Sequence, residues 1–119
     1  MRNFTARVAA ALNSLPVELR DAIADHEVIV EPKPYPPSPT CMGACDLDER
    51  RIYIYPPAAK LGPSSLDALL AHEIGHAILG WCGTEEQSER ETNRLAKAWG
   101  FRVEHLMAET RHLLQQHLI

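Results

Sequence analysis

Residues 70–79 read LAHEIGHAIL, two histidines and a glutamate inside an apolar run. Burying polar groups costs free energy unless something satisfies them, so His72, Glu73 and His76 each require a partner. Histidines four apart lie on one face of a helix, one turn from each other. Two imidazoles so placed can reach a single cation. Imidazole donors and a four-fold preference make zinc the natural candidate. Glu73 follows the first histidine directly. A helix therefore sets its carboxylate beside the ion's open position, where it can take a proton from bound water. The ion lowers the pKa of that water from about 15.7 to about 7. H-E-x-x-H on a helix is the pattern this chemistry uses. The plainer alternative is a pair of hydrogen-bonded core histidines. The motif's place in mid-helix, on the apolar side and just after a strand hairpin, favours the metal.

Catalytic zinc is normally held by three protein ligands, and the third is expected from the next helix. The chain turns back at Gly83. His76 lies seven residues before that turn and Glu89 six after it. At a rise of about 1.5 Å per residue the two stand at similar heights in a helical hairpin. Positions 89, 92, 96, 99 and 103 form one stripe, and Thr92, Ala96, Trp99 and Val103 make it mostly core-facing. A cation would explain a carboxylate at Glu89. Glu91 falls near Arg94 and Arg102 and reads as solvated. Glu85 and Glu86 sit at the turn, where acids suit a helix N-terminus. Cys82 remains a further candidate, since thiolate is an acceptable zinc donor. Asn93, one turn after Glu89, can hydrogen-bond the far nitrogen of His72 or His76 and fix that ring's orientation; an exposed helix asparagine is the equal alternative.

Several elements must position these residues. Phe4, Val8, Ala11, Leu12 and Leu15 form a helical stripe over residues 4–14. Pro16 then opens a second short helix over 17–24. EVIVE at 27–31 fits a strand. PKPYPPSP at 32–39 has five prolines and reads as an extended loop outside any sheet. RIYIY alternates, and the turn chemistry of DLDER before it implies a hairpin of strands near 41–46 and 51–55. The motif helix starts near Pro63, with Ser64 as cap and Asp67 three residues on. Thr84 with Gln87 caps the following helix, which runs to about Trp99. A last helix is expected over about 103–117. The fold class is therefore α+β: a small, mainly antiparallel sheet packed on the H-E-x-x-H helix and a following glutamate-bearing helix.

The chain has 119 residues, one domain's worth, with 24% charged and 45% hydrophobic residues and a net charge of −4. No basic block marks a nucleic-acid partner. No run of 18 apolar residues marks a membrane span. Arg7 and Asn13 interrupt the apolar N-terminal patch, which reads as a folded helix and not a signal peptide. Three cysteines, Cys41, Cys45 and Cys82, do not make a disulfide framework, and a reducing, cytoplasmic location is expected.

HEIGH followed by ERETN resembles the gluzincin type of zinc metallopeptidase, with its H-E-x-x-H and downstream E-x-x-x-D/N. Over residues 27–100 the layout is similar to the compact ImmA/IrrE-like metallopeptidases and the minigluzincins. The resemblance implies one zincin-like domain over 1–119, with zinc as cofactor and His72, His76 and Glu89 as ligands. It further implies Glu73 as general base and a peptide or protein substrate. In relatives an extended peptide pairs with a strand above the motif helix; here that strand is Cys41 to Asp46, where Gly43 and Ala44 leave room for another backbone. Tyr53, Tyr55, His105 and His112 could each donate to an oxyanion, although strand tyrosines usually pack and helix histidines are usually half-exposed. Cys82 stands where metzincins carry a third histidine, but Leu79 occupies their glycine position. Peptide deformylases share H-E-x-x-H, but their other motifs are missing. A thiolate from Cys41 or Cys45 reaching the metal would hold an enzyme latent; two half-buried small residues are the plainer reading. A different class remains, a non-catalytic partner-binding domain with structural zinc. Glu73 distinguishes the two, because a structural site has no use for a carboxylate beside an open position.

Overall fold

The computed structural model describes residues 3–31, 42–80 and 86–116. Helix α1 spans Phe4–Asn13 and α2 spans Val17–Ala22. The Asn3 side chain caps α1 by accepting from the Ala6 N–H at 2.8 Å. Val8, Ala11 and Leu15 turn into the core, as the stripe predicts, and Leu19 of α2 joins them. Strands β1 (Glu27–Val30), β2 (Gly43–Asp46) and β3 (Arg51–Ile54) follow, then a 3-10 turn over Pro56–Lys60 that the sequence reading did not anticipate. Helices α3 (Pro63–Leu79), α4 (Glu86–Ala98) and α5 (Val103–Gln115) complete the chain. The proline-rich segment and the Gly83 turn, with Cys41, Cys82 and the Thr84 cap, lie outside the described residues.

The α+β class is borne out, with one difference in the sheet. Its order is β1-β3-β2. The β2–β3 pair is the expected antiparallel hairpin, with Gly43 opposite Ile54 and Asp46 opposite Arg51. The β1–β3 pair is parallel, with Glu27 opposite Arg51 and Val30 opposite Ile54. The sheet is therefore mixed and not mainly antiparallel. β2 lies at the edge away from β1, which puts β3 in the middle, antiparallel to β2 and parallel to β1.

Ile52 and Ile54 are fully buried on one face of β3. Gly43, opposite Ile54, faces the same way and meets α3, so α3 packs beneath that face. α3 is buried on nearly every side, including Leu66, Leu69, Leu70 and Ile74. Each such side chain contributes roughly 1.5–3 kcal/mol through removal from water. A helix apolar all round belongs in the centre of a domain, which explains why the motif sits where solvent cannot satisfy it.

The start of α3 is held differently from the sequence reading. Gly62 is its N-cap and Pro63 its first residue, and no side chain within the segment caps it. Ser64 is already helical. The partner comes from α5, where Glu109 Oε1 accepts the Gly62 N–H at 2.6 Å. Arg7 of α1 fixes the approach, donating to the Ala59 carbonyl at 2.9 Å and the Leu61 carbonyl at 2.5 Å. At the other end Gly80 takes a left-handed conformation, φ 74°, and its N–H donates to the His76 carbonyl.

Candidate metal centre

α3 presents His72, Glu73 and His76, of which Glu73 and His76 are each 4% exposed. One ligand atom from each of the three lies within 4.8 Å of the others, a grouping that could hold a metal ion. α4 runs back along α3: Glu89 meets His76, Thr92 meets Gly75 and Asn93 meets His72, the order of an antiparallel pair. The close approach depends on Gly75, because a Cβ there would lie 2.9 Å from the Thr92 methyl. The buried line of α4 is Ser88, Thr92 and Ala96. Glu89 stands at the edge of that line, its side chain 41% exposed, so the 89-92-96 stripe is rotated slightly from its expected centre.

The Glu89 carboxylate spans both imidazoles. Oε2 lies 3.0 Å from His72 Nε2 and Oε1 lies 3.0 Å from His76 Nε2. The two Nε2 atoms are 3.1 Å apart, and the rings stand edge to face at 89°. Zinc bonds of about 2.0–2.1 Å at tetrahedral angles place donor atoms about 3.3 Å from one another. The two nitrogens and the carboxylate therefore match the donor types and spacing of a three-ligand zinc site. The far side of His72 supports this. Its Nδ1–H donates to Asn93 Oδ1 at 2.8 Å, so in the neutral ring Nε2 carries the lone pair that faces the shared space. Thr92 Oγ1 lies 3.3 Å from His76 Nδ1 and donates to the Ser88 carbonyl at 2.7 Å.

The electrostatics follow from the same geometry. Burial opposes charge on both Glu89 and His72. For Glu89 the hydrogen bonds to His72 and His76 outweigh it and bring the carboxyl down to about 2. Burial would lower His72, but Glu89, Glu73 and Asn93 together raise it. Glu73 goes the other way. Burial pushes it up to about 7, against the opposing pull of His72 and His76. Its Oε2 is buried without a hydrogen-bond partner among the described residues. A buried, unsatisfied carboxylate oxygen beside a potential metal site is a group poised to exchange a proton.

The sequence reading places His72, Glu73, His76 and Glu89 together, and the structure brings them together. Asn93 pairs with His72, one of its two expected partners. Glu91 pairs with Arg94 at 3.5 Å, away from the histidines. The room at Gly43 is taken from within: a Cβ there would lie 3.2 Å from Glu73 Cγ and Cδ and from the Tyr53 carbonyl. Tyr53 alternates with Ile52 and Ile54 and so projects from the sheet face opposite α3; it stacks on Tyr55 at 6.3 Å. His105 lies 3.6 Å from Glu109 on α5, and His112 is exposed. Cys45 is half-buried. Sequence reasoning missed Thr92 as a partner of His76 and Gly43 as the seat of Glu73. A hydroxyl within an otherwise apolar stripe was the signal for the first.

No protein-family model matches the chain, and no curated protein matches it. Among solved structures it is similar to the crystal structure of the metallopeptidase zymogen abylysin of Pyrococcus abyssi. The TM-score is 0.51 and the sequence identity 15%, over 86% of this chain and 93% of that one. At that identity the likeness is one of fold, and the protein has a small metallopeptidase-like fold with a His-Glu-His group able to hold a metal.

Proposed function

We propose that the protein is a single-domain zinc metallopeptidase of the gluzincin type that hydrolyses peptide bonds. One observation carries this reading: His72 Nε2, His76 Nε2 and the Glu89 carboxylate converge within 3.1 Å, and a Glu73 carboxylate oxygen lies within 4.8 Å of a ring nitrogen of each histidine. His72, His76 and Glu89 would hold the ion. Bound zinc would supply Lewis acidity, activating water and polarising the scissile carbonyl. Glu73 would take the proton released by the attacking water and deliver it to the departing amine. Gly43 holds that carboxylate close under β2. β2 is an outer strand of the described sheet, so an extended peptide paired along it would pass over Glu73. Its low cysteine count suits the reducing cytoplasm.

The test pairs metal analysis with cleavage. Purified protein should bind one zinc, and H72A, H76A and E89A should each lose it. E73Q should keep zinc while cleavage of a peptide library falls by a factor of at least about 100. Wild-type protein that binds zinc and cleaves no member of the library would favour a non-catalytic zinc domain.

A further inference from the structure

We propose that Thr92 is the positioning residue for His76: its hydroxyl accepts the Nδ1–H of the ligating imidazole and thereby holds Nε2 on the metal. This rests on the metal-centre reading above. A hydroxyl has one hydrogen. That of Thr92 is committed to the Ser88 carbonyl, at 2.7 Å, within the same helix. Towards His76 Nδ1, 3.3 Å away, Oγ1 therefore offers only lone pairs. An imidazole with its hydrogen on Nδ1 presents the bare electron pair at Nε2, the atom that faces Glu89 and His72.

The surroundings leave the hydroxyl little freedom to do otherwise. Thr92 is completely buried and His76 is 4% exposed, so water does not compete at this contact. The Thr92 methyl is lodged against Gly75, where even a Cβ would come within 2.9 Å. That contact holds Oγ1 on the His76 side. The two histidines are thus oriented by different chemistry. An amide oxygen holds His72, and a relayed backbone carbonyl holds His76. Adjacent residues of α4, Thr92 and Asn93, serve the two rings, while Glu89 one turn earlier serves both.

The experiment compares T92V, which keeps the methyl and the side-chain volume, with T92S, which keeps only the hydroxyl. Zinc affinity is measured by competition with a chromophoric chelator. Loss of an orienting partner of this kind weakens metal binding by about 10–100-fold. That loss is expected for T92V, and T92S should retain most of the affinity. The second readout is the imidazole Nδ1–H resonance of His76 in the zinc-loaded protein. It should be protected from exchange in wild type and T92S and shifted or lost in T92V. The His72 resonance, held by Asn93, should stay in place throughout. Unchanged affinity and an unchanged His76 resonance in T92V would overturn the assignment. Equal losses in T92S and T92V would overturn it too, since the methyl packing would then be what matters. If T92V does not fold, the wild type decides: an unprotected His76 Nδ1–H overturns the role by itself. Failure of the underlying reading shows separately, as wild-type protein that takes up no zinc.

Discussion

Burial raises the Glu73 carboxyl from 4.5 to about 7, more than the two neighbouring imidazoles lower it. In the metal-free protein this ties stability to pH in a definite direction. The folded value lies above the unfolded one, so the neutral group's contribution is complete below about pH 4.5. It is lost as pH rises through about 7, and the ionised form then costs about 3 kcal/mol. Metal-free E73Q should therefore resist urea better than metal-free wild type at pH 8, with the gap closing near pH 5. A pH-independent difference between the two would contradict the assignment. Glu89 acts in the opposite sense: its folded value is depressed, so its contribution is present above about pH 4.5 and lost as pH falls through about 2. At this scale the sequence was informative where a period fixes geometry. His72, Glu73 and His76 follow from a four-residue spacing, and Glu89 from height and phase across a hairpin. Thr92 was missed because a hydroxyl in an apolar stripe signals a polar partner without naming it, and only its distance from His76 does that. Gly43 was read as a gap for substrate because spacing cannot show which side chain fills a gap.

Among the elements, the α3–α4 pair depends on an interhelical contact with no slack. G75A would drive a methyl to 2.9 Å from the Thr92 methyl, and the buried, β-branched partner has nowhere to swing. Overpacking of this kind costs about 1–3 kcal/mol. Because the displaced helix carries Glu89, zinc affinity should fall along with the thermal midpoint. A variant that lost stability and bound zinc normally would show that α4 can slide without moving its carboxylate. The start of α3 offers a second check. Glu109 supplies both an acceptor and a negative charge at the helix N-terminus, and E109A should destabilise by about 1 kcal/mol in a denaturant titration. Helix spans were legible from apolar period, and the hairpin from alternation and turn residues. The parallel β1–β3 pairing and the cap from α5 were not, because each joins segments far apart in sequence. Ser64 looked like a cap because its type suits that role, whereas Pro63 had already begun the helix.

For the whole molecule, an ion held by two helices is also a ligand of the folded state alone, and it stabilises by mass action. At free zinc a thousandfold above the dissociation constant, this amounts to about 4 kcal/mol. Chelation should lower the thermal midpoint of wild type and leave that of H76A where it stands. The fold as a whole was legible as α+β from the order of its elements, and the central place of α3 from its apolar character all round, whereas the strand order was not. The way α4 docks has a consequence of its own. Among the described residues α4 buries only Ser88, Thr92 and Ala96, all small, so little water is expelled by docking it, and much of what pins it to its neighbour is the bridge made through Glu89. Stripped of its cation, this segment should be the first to breathe. Amide deuteration along residues 88–98 should quicken by orders of magnitude on chelation, while the Leu66–Ile74 stretch keeps its protons until the entire chain opens. Occupancy and cohesion would then be one property, and a cell low in zinc would hold a form of the protein already marked at that helix for a passing protease.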